Sequence, residues 1–140
     1  MSGHPPINTE TLSAIRLELG VHFSRILSYF AEDGVKSVQA IEDAVSKRDA
    51  VALVRPAHTL KGESLQFGCE ALGYAAEHIE KAARAAVEAH NFPLEIVDFS
   101  PKIRPLFQEA LAALELASAP KPIPAAVPLR RPTGFGRKVG

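Results

Sequence analysis

Residues 50–67, AVALVRPAHTLKGESLQF, carry the pattern on which the architecture rests. Their apolar positions recur at helical spacing, with no period-two alternation. At about 100° per residue and with His58 as zero, Leu53, Ala57, Leu60, Ser64 and Phe67 fall between about 180° and 260°. That arc is a core-facing stripe, and His58 points away from it. Within about 60° of His58 lie Val51, Val54, Arg55, Lys61, Gly62 and Leu65. The histidine therefore occupies an outer face, with apolar neighbours above and below, a cation on each side and a glycine one turn on. Glycine in a helix interior costs about 1 kcal/mol relative to alanine, so Gly62 calls for a reason. The missing side chain would let another protein's backbone approach the imidazole. Val51, Val54 and Leu65 form a small apolar patch suited to docking. Each feature alone reads as ordinary solvated surface; their convergence on one face points to a site.

The neighbouring helices follow from this one. Asp49 is a suitable N-cap for it, and Lys47 and Arg48 suit the C-terminus of the helix before. So short a connection sends the third helix back antiparallel to the second. That second helix is predicted over 21–47, with Phe23, Leu27, Phe30, Val38, Ile41 and Val45 in phase through Gly34. A short first helix runs over 9–19 and ends at Gly20. A fourth, over 71–89, carries Leu72, Ala76, Ile79, Ala83 and Ala86. His-Asn-Phe-Pro at 90–93 breaks the chain. Ser100 and Pro101 are expected as N-cap and first residue of a last helix using Ile103, Phe107, Ala110 and Leu114, with Pro105 delaying its start. Pro56 removes the hydrogen bond to the Ala52 carbonyl, which costs about 3 kcal/mol in a regular helix, so a kink or wide turn is expected between them. No strand pattern or internal repeat is present. The expected fold is all-α: an antiparallel four-helix bundle with a short additional N-terminal helix, over residues 1–117.

Composition limits the rest. The 140 residues suit one domain, and the single cysteine, Cys69, suits a reducing cytoplasm. There is no secretory leader pattern and no apolar run near the roughly 20 residues that span a bilayer, so a cytoplasmic protein without stable membrane insertion is expected. Net charge is zero, but residues 118–140 hold five basic side chains and no acid, which leaves residues 1–117 at −5. An acidic body of this kind argues against nucleic-acid binding. The Pro-rich tail is expected to be extended or disordered, and its charge would suit an acidic partner or lipid surface.

The motif AHTLKGESLQFG resembles the signature of histidine-containing phosphotransfer (HPt) domains, with His58, Leu60, Lys61, Gly62, Ser64 and Gly68 matching. The likeness extends to Leu72 and Glu80 and to the order of helices. It implies a phosphorelay intermediate: His58 accepts a phosphoryl group from a receiver-domain phosphoaspartate and passes it to another receiver. Lys61 would stabilise charge, Gly62 would permit close approach, and Glu80 would orient the imidazole through Nδ1; for Glu80 an ordinary surface charge is the alternative. Val51, Val54, Arg55, Leu65 and Gln66 would meet the partner. The implied partners are response-regulator receiver domains and a hybrid histidine kinase, with the chain a monomer. No metal or cofactor is expected on this chain; Mg²⁺ is expected on the receiver. Glu63, where many members carry a small residue, departs from the pattern and would tune phosphate lifetime or partner choice.

Other functions fit less well. An ATP-dependent histidine kinase would need a glycine-rich nucleotide segment and a second domain. A metal-binding bundle would place glutamate three residues before its histidines, whereas His22, His58, His78 and His90 follow Leu19, Arg55, Ala75 and Val87. His78 and His90 are read as surface histidines. A non-transferring HPt-like module that only binds receivers or kinases stays open.

Overall fold

The computed structural model of the chain describes residues 6–118, so the tail lies outside the described residues apart from Ser118. Six α-helices follow in order: α1 (Thr9–Leu19), α2 (Phe23–Ser46), α3 (Ala50–Gln66), α4 (Glu70–Ala89), α5 (Leu94–Phe99) and α6 (Ile103–Ser118). Single 3₁₀ turns join α1 to α2 and α5 to α6. The four long helices α2, α3, α4 and α6 form the bundle, and no strand occurs among the described residues.

The stripe expected on α3 is the buried one. Leu53, Ala57 and Leu60 are wholly shielded, and Phe67 packs against Phe23 and Phe30 at ring-centroid distances of 6.0 and 5.1 Å. From α6, Phe107 completes the aromatic layer, 5.9 Å from Phe30. Across α4 the core is built of small residues, Ala75, Ala76, Ala83 and Ala86, with Leu72 and Ile79 between them. Small side chains let α3 and α4 approach closely, and these two share the most extensive helix contact among the described residues.

Helix ends are closed locally. The Asp49 side chain accepts from the Ala52 amide at 3.0 Å, as expected of an N-cap. Asn8 caps α1 by accepting from the Thr11 amide at 3.1 Å, and its Nδ2 donates to Glu70 Oε2 at 3.0 Å. Gly68, with φ 81°, lets Cys69 N–H reach back to the Ser64 carbonyl at 2.8 Å and ends α3 in a Schellman turn. The same turn ends α2 at Arg48 and α4 at His90, both with φ 55°; there Asp49 and Asn91 donate to the Ala44 and Ala86 carbonyls at 2.9 and 3.1 Å.

Three expectations need correction. The chain breaks at 90–93 as expected, and beyond Pro93 an additional short helix, α5, fills residues 94–99, because Ile96 is buried and supplies an anchor for one more turn of helix. Ser100 is consequently no N-cap; it sits inside the 3₁₀ turn, and its hydroxyl donates to the Val97 carbonyl at 3.5 Å. Pro105 does not delay α6, since it falls in the first turn, where the proline lacks only an amide that would have had no helical partner. Helix α3 runs through Pro56 without interruption. Neighbouring turns and the packed stripe hold the helix where one hydrogen bond is missing.

Candidate functional site

His58 lies mid-way along α3, where the buried stripe on the opposite side fixes its outward direction. Its side chain is 61% exposed, yet Nδ1 rests 2.9 Å from Glu80 Oε2. Glu80 comes from α4, with a side chain only 6% exposed. The close α3–α4 packing brings the two together across 22 positions of sequence. Glu80 is thus a buried carboxylate behind an exposed ring, which removes its alternative reading as a surface charge.

Two cations share that carboxylate. Lys61 Nζ stands 2.9 Å from Oε1 as an ion pair, although its approach falls outside hydrogen-bond geometry and leaves Oε1 without a formed bond among the described residues. Arg84 donates to Oε2 twice, from Nε at 3.1 Å and from Nη2 at 2.8 Å. Burial alone would push the Glu80 carboxyl up, but the hydrogen bonds of Arg84 and His58 and the adjacent Lys61 cation together hold it down at about 2. Glu80 is therefore ionised and can only accept. The neutral His58 ring must then carry its proton on Nδ1, which leaves the Nε2 lone pair directed to solvent. A carboxyl held down in this way adds stability above its ordinary value of 4.5, and that stability drains as pH falls towards about 2.

The other residues of this face fall where the wheel put them. Val51 is 70% exposed, Val54 and Leu65 are half-buried, and Arg55, Gly62 and Gln66 are exposed. A Cβ built on Gly62 would meet nothing within 4 Å among the described residues. Val51, Val54 and Arg55 continue into a shallow hollow walled on the α4 side by Arg84, Val87 and Glu88. Glu63 lies further round α3, off this face. It turns towards Asp33 of α2, and burial, followed by the charge and hydrogen bond of Asp33, raises its carboxyl above the usual range. Arg84 and Asp33 are the residues that motif reasoning missed. Arg84 follows Glu80 by four positions on one helix, a spacing that puts the pair side by side and would have flagged it. His78 and His90 are exposed, with His78 Nε2 3.0 Å from Glu95 and its ring 4.3 Å from that of Phe99.

No helix among the described residues is long and apolar enough to cross a membrane. None of the curated proteins matches the chain. Among solved structures it is similar to histidine-containing phosphotransfer protein B (HptB) from Pseudomonas aeruginosa PAO1, with a TM-score of 0.72 at 20% identity, covering 83% of this chain and 96% of the other. That likeness is one of fold. The family model for the Hpt domain matches residues 25–117, which takes in α3, α4 and the whole His58–Glu80 cluster. With the bundle, the motif on its exposed face and this match in agreement, the chain belongs to the Hpt domain family.

Proposed function

We propose that the chain is a monomeric phosphorelay carrier that takes a phosphoryl group from a receiver phosphoaspartate onto His58 and hands it to another receiver. The observation that carries this reading is the His58–Glu80 contact of 2.9 Å, which orients an exposed ring from behind. The Nε2 lone pair attacks phosphorus, the P–O bond to the aspartate breaks, and its electrons leave with the aspartate carboxylate. The proton stays on Nδ1, and Glu80 supplies the counter-charge that the now cationic ring needs. Onward transfer reverses these steps. Such reactions depend on positioning and charge stabilisation more than on acid–base groups. Lys61, 25% exposed beside the ring, supplies positive charge on this side of the transferred group. Gly62 leaves the space through which a receiver backbone approaches, and Val51, Val54, Arg55, Leu65 and Gln66 form the surrounding contact face. Mg²⁺, which reduces the negative charge on the transferred oxygens, belongs to the receiver.

The test is labelling by phosphorylated receivers from the same host, including that of a hybrid histidine kinase. An acid-labile, base-stable label on this chain is expected, lost in His58→Gln with helical circular dichroism unchanged. Label that persists in His58→Gln would overturn the assignment. Absence of label with every receiver, despite measurable binding, would make the chain a non-transferring docking module.

A further inference from the structure

Arg84 makes two hydrogen bonds to Glu80 Oε2, the oxygen that also accepts from His58 Nδ1. Three donors therefore compete for one carboxylate oxygen. The consequence concerns the second ring proton of the histidine. A buried carboxylate 2.9 Å from an imidazole, left to itself, draws the ring towards the doubly protonated cation. A ring protonated on both nitrogens has no lone pair on Nε2 and cannot attack phosphorus. Arg84 opposes this in two ways. It takes up part of the carboxylate's negative charge, and its own positive charge disfavours another cation beside it.

The remaining charges around the pair do not replace it. From α3 come Arg55 and Lys61, and Lys61 is directed to the other oxygen, Oε1. From α4 come Glu77, Lys81, Arg84 and Glu88; Glu77 is engaged with Lys81 at 3.7 Å. Among the described cations, Arg84 alone donates to Oε2, the oxygen that orients the ring. Its side chain is 59% exposed, so it contributes little to the core and can be replaced without disturbing the bundle.

We propose that Arg84 is a positioning residue for phosphoryl acceptance, holding Glu80 Oε2 so that the carboxylate orients His58 without drawing a second proton onto it. This rests on His58 being the acceptor. In Arg84→Ala the acid limb of the acceptance rate moves to higher pH. At about pH 6 the variant is slower than the native chain by about threefold, and at about pH 8 the two are equal. Arg84→Lys keeps the charge and restores most of the rate at the lower pH. Added salt narrows the gap between native and Arg84→Ala protein. A merely structural role would lower the rate equally at every pH or not at all.

A second readout needs no phosphoryl donor. Long-range ¹H–¹⁵N spectra of the histidine ring in the unphosphorylated protein should show more of the doubly protonated form in Arg84→Ala than in native protein at about pH 6. Unchanged ring spectra together with a superimposable pH profile would overturn the role of Arg84. If the native chain takes no label from any receiver, the acceptor reading falls, while the ring spectra by themselves still decide whether Arg84 governs the second proton.

Discussion

Gly34 in α2 and Gly62 in α3 both lie inside long helices, where glycine is unfavourable, yet their surroundings are opposites. A Cβ at Gly34 would run into the buried ring of Phe107, lying 2.6 Å from Cζ and closer still to Cε1. A Cβ at Gly62 would project into open space beside His58. The first glycine is explained by the protein's own core and the second is not explained by the protein at all. Gly73 falls between them: a Cβ there would press on Leu65, 2.7 Å from Cγ, but Leu65 is half-buried and can swing outward. An unexplained cost within a fold is where a requirement from outside it shows.

The largest effect expected is at Gly34. Gly34→Ala forces Phe107 to shift in a packed layer, an overpacking cost of about 1–3 kcal/mol that helix propensity offsets by about 1 kcal/mol. A net loss of up to about 2 kcal/mol, lowering Tm by up to roughly 10 °C, should appear in thermal unfolding, with the transfer rate at permissive temperature unchanged. Gly62→Ala should do the reverse. The exposed helix gains about 1 kcal/mol and Tm rises by several degrees. Phosphoryl acceptance from a receiver falls about tenfold, because displacing a reacting pair by even 1 Å costs up to about a hundredfold. A Gly62→Ala protein that is more stable and transfers normally would erase the functional half of the contrast between the two glycines.

The same distinction separates what the sequence disclosed from what it concealed. The apolar stripe of α3 is a periodic property of contiguous residues, so Leu53, Ala57, Leu60 and Phe67 could be assigned to the core, and His58, Val51 and Gly62 to the outside, by angle alone. The motif then supplied Lys61 and Glu80 by resemblance. Angle and motif do not reveal depth. Whether Glu80 was a surface charge or a buried partner depended on how closely α4 approaches α3, which its run of alanines permits but does not announce. The turns at Arg48 and His90 were hidden for a related reason. Their φ of 55° is ordinarily glycine's, so neither Arg48 nor His90 marks its turn by residue type, although local hydrogen bonds to the Ala44 and Ala86 carbonyls close both. Helix α5 depends on one buried anchor, Ile96, in a segment too short to show a period.

Glu63 gives the smallest effect and the most direct check on whether proximity in sequence to His58 means participation in its site. Its Oε1 is shut from solvent and has no hydrogen-bond partner among the described residues. Burial and then Asp33 raise its carboxyl above the ordinary 4.5. A raised carboxyl favours the fold below its ordinary value, and that contribution is lost as pH rises through the raised one, so ionised Glu63 is a penalty at neutral pH. Glu63→Gln removes the charge and offers Asp33 a donor. Because the group is partly exposed, the gain is screened to about 0.5 kcal/mol near pH 7, measurable by denaturant unfolding. The difference should disappear as pH falls below 4.5, where both side chains are neutral. Facing α2 rather than the ring, Glu63 should leave phosphoryl acceptance and phosphohistidine lifetime unaltered when replaced. A changed lifetime in Glu63→Gln would show that its charge reaches His58 after all, and that the acceptor face extends round α3 as far as α2.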